Sequence, residues 1–157
     1  RMFHTIGMAE RTFGKDAREN LQDKLYVYRK TGQMVHAHYP DAPLLVASWD
    51  FILWWKDKDV QQLLKEFNPD RTIILDYTAD VADKITYRDW GFENKFPWIF
   101  GAFHSYDRNS DIHEDYNILG PRLKEAAADS FCKGFVTWSE ISHDDTYFLE
   151  YVADNSW

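Results

Sequence analysis

The sequence has one cysteine, Cys132, which excludes a disulfide within the chain. It has no apolar run long enough to cross a membrane, and its start shows no signal-peptide pattern. The first residue is Arg1 rather than Met, so we expect further sequence upstream and leave the compartment open. A formal net charge of -8 argues against a basic surface that binds nucleic acid or an anionic membrane.

Several motifs of catalytic proteins are also missing. There is no Gly-rich phosphate loop and no Gly-x-Ser-x-Gly turn, which argues against a nucleotide enzyme or a serine hydrolase. Residues 107–111 begin like a calcium loop, but Ile112 stands where the turn glycine belongs and Ile118 where the bidentate glutamate belongs. His113 and His143 lack the spacing of a helical zinc site. We therefore predict neither a metal site nor a cofactor.

Four apolar runs are present, and each ends in a single ionisable residue. They cover residues 43–50, 71–76, 97–104 and 134–140, and they end in Asp50, Asp76, His104 and Glu140. Near-continuous apolar runs are typical of strands that are buried on both faces of a parallel sheet. Since the chemistry of parallel α/β folds gathers at the carboxyl ends of the strands, the four residues are predicted to share one rim.

Helical patterns alternate with these runs. We predict one helix from Asp16 to about His38 and three more that start at Asp57, Pro121 and Ser142. In the last of these helices, Phe148, Leu149 and Val152 are predicted to face inward. Residues 2–8 fit one more short strand, whereas residues 77–96 show no clean helical period and are predicted to form a long loop. The strand–helix repeat implies parallel strands with right-handed crossovers.

Counting residues 2–8 gives about five βα units in a single α/β domain, residues 1–157. A complete (β/α)8 TIM-type barrel needs about 250 residues. The chain is thus predicted to be a partial barrel, a fragment of a larger one, or alternatively an open doubly wound parallel sheet. Composition does not decide between the two.

Glu10 and Glu140 follow the first and the last predicted strand. Across the mouth of a barrel, two carboxyl groups can cleave a glycosidic bond, one as acid and the other as nucleophile or base. The structural alternative is that Glu10 pairs with Arg11 on the surface and that Glu140 caps a helix with Ser142. Both interpretations stay open from spacing alone.

Aromatic residues make up 17% of the chain, with seven tryptophans. A large core explains this content, and so do stacking platforms for the flat faces of sugar rings. We predict a sugar site lined by Trp49, Asp50, Asp76, Trp98, His104 and Trp138. The alternatives are that the aspartates only cap the following loops and that His104 is a structural residue.

Three segments in the later part of the chain resemble a known family. They are residues 72–76, residues 97–104, and residues 132–140 with the following helix that closes at Trp157. Together they resemble the carboxyl half of the catalytic barrel of family 89 glycoside hydrolases, the α-N-acetylglucosaminidases. The first third of the chain matches only loosely. Ser139 stands where the family has Pro, and Ala9 stands where it has a substrate-binding Asn.

The resemblance implies a retaining, exo-acting hydrolase of a terminal amino sugar, with Glu140 as nucleophile and Glu10 as acid/base. The implied partners are a carbohydrate substrate and the missing half of the barrel, or a second copy, because a partial barrel has open sheet edges. The alternative function is a non-catalytic carbohydrate-binding or assembly module.

Overall fold

A computed structural model describes residues 1–5, 11–105, 114–139 and 146–156, with the backbone alone at Asp50, Leu53, Trp54, His104 and Ser105. The strands are β1 (Phe3–Thr5), β2 (Leu44–Ala47), β3 (Thr72–Asp76), β4 (Trp98–Ser105) and β5 (Cys132–Ser139). The helices are α1 (Ala17–His38), α2 (Trp49–Trp54), α3 (Asp57–Leu64), α4 (Thr86–Asp89), α5 (Tyr116–Ala128) and α6 (Thr146–Asn155). A 3₁₀ turn, Pro69–Arg71, precedes β3.

The five strands form one sheet in the order β1-β2-β3-β4-β5, and every neighbouring pair is parallel. A doubly wound sheet reverses its strand order at a switch point, and this sheet does not. Right-handed crossovers between successive neighbours put the connecting helices on one face. The prediction of a parallel α/β sheet of the barrel type is confirmed, and the doubly wound alternative is wrong.

The two faces of the sheet differ in burial. Leu44, Val46, Ile74, Trp98 and Phe100 alternate along their strands and are buried against the helices. On the other face, Leu45, Ile73 and Ile99 are only half-buried. Ala47 and Leu75 on this face are buried, so the expectation that the strands are buried on both faces is wrong at those three positions and holds at these two. A barrel turns this second face toward its own interior, so we call it the inner face.

Helices cover the outer face through apolar residues at helical spacing. Leu25 and Tyr28 of α1, Val60 and Leu63 of α3, Leu119 and Leu123 of α5, and Phe148 and Val152 of α6 are buried there. The first helix begins as predicted, since the Asp16 carboxylate accepts hydrogen bonds from the backbone N–H groups of Arg18 and Glu19.

The helix start predicted at Pro121 is wrong. The helix α5 begins at Tyr116, and the carboxylate of Asp115 caps it by accepting from the backbone N–H of Asn117 at 2.9 Å. Pro121 lies inside the helix and costs it one backbone hydrogen bond. Leu119 and Leu123, one turn apart, are both fully buried, and their packing offsets that loss.

Two further expectations are corrected. Leu149 is 54% exposed, because Phe148 and Val152 define the buried side of α6 at a spacing of four residues and Leu149 points away from it. Residues 77–96 are not entirely loop, since they contain the single turn α4. Among the described helices, none is long and apolar enough to span a membrane.

Candidate functional site

Four aromatic rings meet where β2, β3, β4 and β5 end. Trp49 begins α2 directly after β2, Tyr77 follows β3, and Phe103 and Trp138 are paired across β4 and β5. The rings of Tyr77 and Trp138 are stacked, with centroids 4.1 Å apart and planes 13° apart. The Trp49 ring meets that of Phe103 edge-on at 5.0 Å. We call these four residues the rim cluster.

The rim cluster adjoins the inner face of the sheet. Phe103 follows Gly101 and Ile99 at the two-residue spacing of one strand face, and Trp138 is its partner on β5. Trp138 is half-buried, and its indole N–H is buried without a hydrogen-bond partner among the described residues. The cluster thus offers partly exposed aromatic surface at the carboxyl rim of the sheet.

A close approach of backbone shapes this rim. A Cβ on Gly101 would lie 2.3 Å from the carbonyl oxygen of Asp76, which only glycine avoids. The backbone N–H of Ala79 donates to the carbonyl of Gly101 at 3.1 Å. The absence of a side chain at residue 101 therefore lets the segment after β3 cross directly over β4.

Beside the rim cluster lies a cavity of about 340 Å³. We call it the rim pocket and define it by Trp49, Thr78, Asp80, Phe103, Glu114 and Ile118, which lie in its wall. These residues come from α2, the segment after β3, the end of β4 and the start of α5. Its volume falls within the range of about 300–1,000 Å³ that ligand sites occupy.

Two carboxyl groups of the rim pocket interact closely. One oxygen of Asp80 accepts a hydrogen bond from the backbone N–H of Phe103 at 2.9 Å. Burial raises the pKa of Glu114 well above its usual range, and the neighbouring charges of Asp80 and Asp115 and a hydrogen bond with Asp80 raise it further. Burial and these neighbours therefore all favour the protonated form of the Glu114 carboxyl group.

Asp76, predicted to bind substrate, turns away from the rim cluster. It shares a strand face with Ile74 and is paired with Phe100, so it points toward the helices of the outer face. Its carboxyl group is fully buried and accepts from the hydroxyls of Thr86 at 2.6 Å and Ser48 at 3.1 Å. Burial raises the pKa of Asp76 to about 7. A fully enclosed carboxyl group has no surface left for a sugar, so we do not carry Asp76 into the proposed site.

Trp98 is also placed differently from our expectation. It is the first residue of β4, at the end of the strand opposite to the rim, and it has no exposed surface. Its indole N–H donates to the carboxylate of Asp129 at 2.7 Å, and its ring stacks on Tyr87 at 4.8 Å. Trp98 therefore belongs to the core and does not lie at the rim, where we expected the sugar site.

The other predicted residues fall into two groups. The backbone of Asp50 lies in the first turn of α2, and that of His104 lies near the end of β4. Both are thus close in sequence to the rim cluster. Glu10 and Glu140 lie outside the described residues. Of the six predicted sugar-site residues, the structure brings Trp49 and Trp138 into one cluster.

Sequence reasoning missed Tyr77, Asp80 and Glu114. Tyr77 and Asp80 lie directly after the apolar run that ends in Asp76, where functional loops of parallel folds are expected, so their position was the available signal. Glu114 reaches the rim pocket from the start of α5 and carried no sequence signal. Within the described residues, no group of three or more His, Cys, Asp or Glu side chains is arranged to hold a metal ion.

Residues 9–157 match the family described as the α-N-acetylglucosaminidase (NAGLU) TIM-barrel domain. Among solved structures, the chain is similar to CpGH89 from Clostridium perfringens, a double glutamate-to-glutamine variant in complex with its substrate GlcNAc-α-1,4-galactose. The TM-score is 0.65 and the identity 15%, over 98% of this chain and 16% of that chain.

At this identity the structural similarity shows the fold alone, and the chain spans 16% of the length of its structural relative. No curated protein matches the sequence. The family match covers all but the first eight residues and confirms the resemblance to family 89 glycoside hydrolases. The partial-barrel prediction is confirmed with it. The chain belongs to the α-N-acetylglucosaminidase TIM-barrel domain family.

Proposed function

We propose that the chain is the carboxyl half of the catalytic barrel of a retaining, exo-acting glycoside hydrolase that removes a terminal amino sugar such as α-N-acetylglucosamine. Glu10 is the acid/base and Glu140 is the nucleophile. The observation that carries the proposal is the order of the strands. The strand before Glu10 and the strand before Glu140 are β1 and β5, the two outermost strands of a sequentially ordered parallel sheet.

In an eight-stranded barrel, strands that are four places apart lie on opposite sides of the barrel axis. β1 and β5 are four places apart. Residues that follow these strands can then face each other across the mouth. A retaining mechanism needs that arrangement, with the carboxyl groups about 5–5.5 Å apart.

The alternation of side chains along the strands supports the same pairing. Trp138 shares the inner face with Phe103, and Glu140 comes two residues later, which is the spacing of one strand face. His4 is paired with Leu45 on the inner face, and Glu10 is separated from it by an even number of residues. Residues 6–10 and 140 lie outside the described residues, and both glutamates would have the parity of the enclosed face if the strand spacing continued to them.

The chemistry follows from two carboxyl groups on either side of a sugar. Glu10 gives its proton to the glycosidic oxygen while Glu140 attacks the anomeric carbon, and a covalent glycosyl-enzyme forms as the leaving group departs. Glu10 then takes a proton from water, which attacks the same carbon and releases the sugar. Trp49 and Trp138 offer stacking surface to the ring, and Asp50 and His104 are proposed to bind its hydroxyl groups.

The test is hydrolysis of an aryl α-N-acetylglucosaminide by the natural protein that carries this chain. Glu140→Gln is expected to abolish turnover and to leave calorimetric binding of N-acetylglucosamine largely intact, because the substitution removes the nucleophile and keeps the stacking residues. Glu150→Gln, an exposed position on α6, is the matched control and should retain turnover. Near-normal turnover in Glu140→Gln would place the nucleophile elsewhere.

One observation favours a second candidate, a non-catalytic carbohydrate-binding or assembly module. Within the described residues, β1 and β5 each pair with a single strand, and open edges of this kind pair readily with other chains. Sugar binding together with a complete lack of hydrolysis by the unsubstituted protein would favour this module. Analytical ultracentrifugation would then show whether the edges join a second copy.

A further inference from the structure

We propose that Ser48 and Asp76 are positioning residues of the sugar site, and that their buried hydrogen bonds fix the backbone of Tyr77 and, through the Tyr77 ring, the orientation of Trp138. This inference deepens the proposed function and rests on its use of Trp138 as a stacking surface. Ser48 and Asp76 do not touch the sugar in this assignment. Both are fully buried, and each directly precedes a member of the rim cluster, Trp49 or Tyr77.

The hydroxyl of Ser48 joins the ends of two neighbouring strands. Its oxygen accepts a hydrogen bond from the backbone N–H of Tyr77 at 2.9 Å, and it donates to the carboxyl group of Asp76 at 3.1 Å. The backbone N–H of Ser48 also donates to the carbonyl of Leu75 at 2.9 Å. Ser48 directly follows β2, and its three partners lie at the end of β3 or directly after it. We call these three hydrogen bonds the strand tie.

The position of Ser48 in the chain predicts a different use of its hydroxyl. Ser48 is the N-cap residue of α2, where a serine side chain ordinarily accepts from a backbone N–H of its own helix. In this structure the side chain makes no such cap. The hydroxyl contacts the end of β3 instead of stabilising its own helix, which is the behaviour expected of a group that positions a neighbouring strand end.

Asp76 gathers donors from three separate segments. Its carboxyl group accepts from the Ser48 hydroxyl, from the hydroxyl of Thr86 at 2.6 Å and from the backbone N–H of Thr78 at 3.4 Å. Thr86 is fully buried at the start of α4. Because the carboxyl group connects the residue after β2, the residues after β3 and α4, it restricts movement of the backbone on both sides of Tyr77.

The neighbouring strand confines Tyr77 from another direction. A Cβ on Gly101 would lie 3.1 Å from the Cα of Tyr77, so the two backbones are in close contact. The backbone N–H of Ala79 donates to the carbonyl of Gly101. Tyr77 is therefore held between Ser48, next to β2, and Gly101 of β4.

The position of this backbone determines where the Tyr77 ring lies. The ring is stacked on Trp138, with the centroids 4.1 Å and the planes 13° apart. A parallel partner at this distance sets the plane of the indole, and with it the direction of the partly exposed surface that Trp138 offers to a sugar. The strand tie thus acts on sugar binding through Tyr77 and Trp138, without contact with the ligand.

Ser48→Ala tests the strand tie in the natural protein that carries this chain. The variant removes one hydroxyl and leaves the backbone hydrogen bond to Leu75 in place. We expect the calorimetric Kd for N-acetylglucosamine to rise at least about threefold, which is less than the loss of a whole aromatic stacking partner produces. The KM for an aryl α-N-acetylglucosaminide should rise with it while kcat changes little, as expected when uniform binding is lost. Unchanged Kd and KM would overturn the proposal.

Two comparisons separate positioning from general stability. Trp98→Phe removes the hydrogen bond to Asp129 at the opposite end of the sheet, and it should lower the urea midpoint without changing Kd or KM. In a Trp138→Ala background, Ser48→Ala should change Kd no further, because the ring through which Ser48 acts is absent. Additive effects of these two substitutions on Kd would contradict the assignment.

A matched pair of variants tests Asp76. Asp76→Asn keeps an acceptor oxygen beside the Ser48 hydroxyl, whereas Asp76→Ala removes it, so the asparagine variant should bind N-acetylglucosamine more tightly than the alanine variant. If Asp76→Asn weakens binding and Ser48→Ala does not, the charge of Asp76 rather than the strand tie supports the site, and the proposal fails.

The outcome is separable from the proposed hydrolysis. If Glu140→Gln retains turnover while Kd depends on Ser48, the hydrolase assignment fails and the positioning role stands. If Glu140→Gln abolishes turnover and Ser48→Ala binds the sugar normally, the positioning role alone fails. No binding of N-acetylglucosamine by the unsubstituted protein would remove the sugar site and overturn both proposals.

Discussion

The two faces of the sheet carry aromatic clusters that differ in how completely they are closed. On the outer face, Tyr87, Phe92, Trp98 and Phe100 have no exposed surface, and we call them the core cluster. The indole N–H of Trp98 is hydrogen-bonded to Asp129. In the rim cluster, Trp138 is half-buried and its indole N–H has no partner among the described residues.

This difference predicts that the core cluster contributes mainly to stability and the rim cluster mainly to binding. A closed cluster with satisfied polar atoms contributes apolar burial and packing, so its loss is felt in the free energy of unfolding. A cluster with partly exposed rings contributes less burial and offers aromatic surface to a ligand. Aromatic residues thus stabilise the fold in the core cluster and offer binding surface in the rim cluster. Substitutions in the core cluster should mainly lower stability, and substitutions in the rim cluster should mainly weaken binding.

The largest effect is expected in the core cluster. Trp98→Ala should lower the free energy of unfolding by about 3–5 kcal/mol, because it leaves a cavity beside Tyr87 and removes the donor to Asp129. Urea denaturation measures it. Trp98→Phe, which fills more of the space, should cost less. A loss below about 1 kcal/mol in Trp98→Ala would contradict the distinction between the clusters.

A second effect concerns the buried carboxyl group of Asp76 on the same outer face. Burial raises its pKa from 3.8 to about 7 in the folded chain, so the folded state binds more protons than the unfolded state between about pH 4 and pH 7. The free energy of unfolding should therefore fall as the pH rises through this window, by up to about 4 kcal/mol, and change no further from this source above it.

Asp76→Asn tests this dependence. The amide is neutral at every pH. The unfolding free energy of the variant should therefore increase relative to that of the unsubstituted protein as the pH rises through this window. Asp83→Asn, at an exposed position, is the control and should show little shift. Glu114 contributes a slope of the same sign, because burial raises its pKa too. A difference that is constant with pH would mean that Asp76 is ionised in the folded chain.

The contrast between these residues shows what the sequence could predict. The apolar runs and the helical periods were enough for the parallel strands and most helices. They did not reveal toward which face of the sheet the Asp76 side chain points, because a position at the end of a strand does not determine that face. Asp76 falls on the face of Ile74, toward the helices, and Trp98 stands at the start of its run rather than at the end.

The rim pocket was beyond sequence reasoning for a different reason. Thr78 and Asp80 lie more than 30 residues before Glu114 along the chain, and the segment that carries them crosses closely over Gly101. That crossing depends on tertiary packing, which no local period encodes. The start of α5 is similar, since Pro121 is a strong local signal that the Asp115 cap and the buried leucines override.

The next effect tests the rim cluster. Trp138→Ala should lower the unfolding free energy by only about 1 kcal/mol, the centre of measured single substitutions, since the residue is half-buried. It should weaken binding of N-acetylglucosamine by about 1–3 kcal/mol, as loss of an aromatic stacking partner does for a nucleic-acid base. Calorimetry and urea denaturation on the same variant measure both. A large loss of stability with unchanged binding would make Trp138 a core residue like Trp98.

The smallest effect isolates a single contact within the rim cluster. Tyr77 and Trp138 are stacked at 4.1 Å, so a double-mutant cycle of Tyr77→Ala and Trp138→Ala should give a coupling energy of about 0.5–1.5 kcal/mol in unfolding. Trp138→Ala with Leu63→Ala is the control pair. Leu63 is a buried residue of α3 on the other side of the sheet, and its effect should add to that of Trp138 within about 0.5 kcal/mol. If the Tyr77 cycle were additive as well, the stacked pair would contribute no more than its separate burial, and the rim cluster would be a set of independent rings rather than one packed unit.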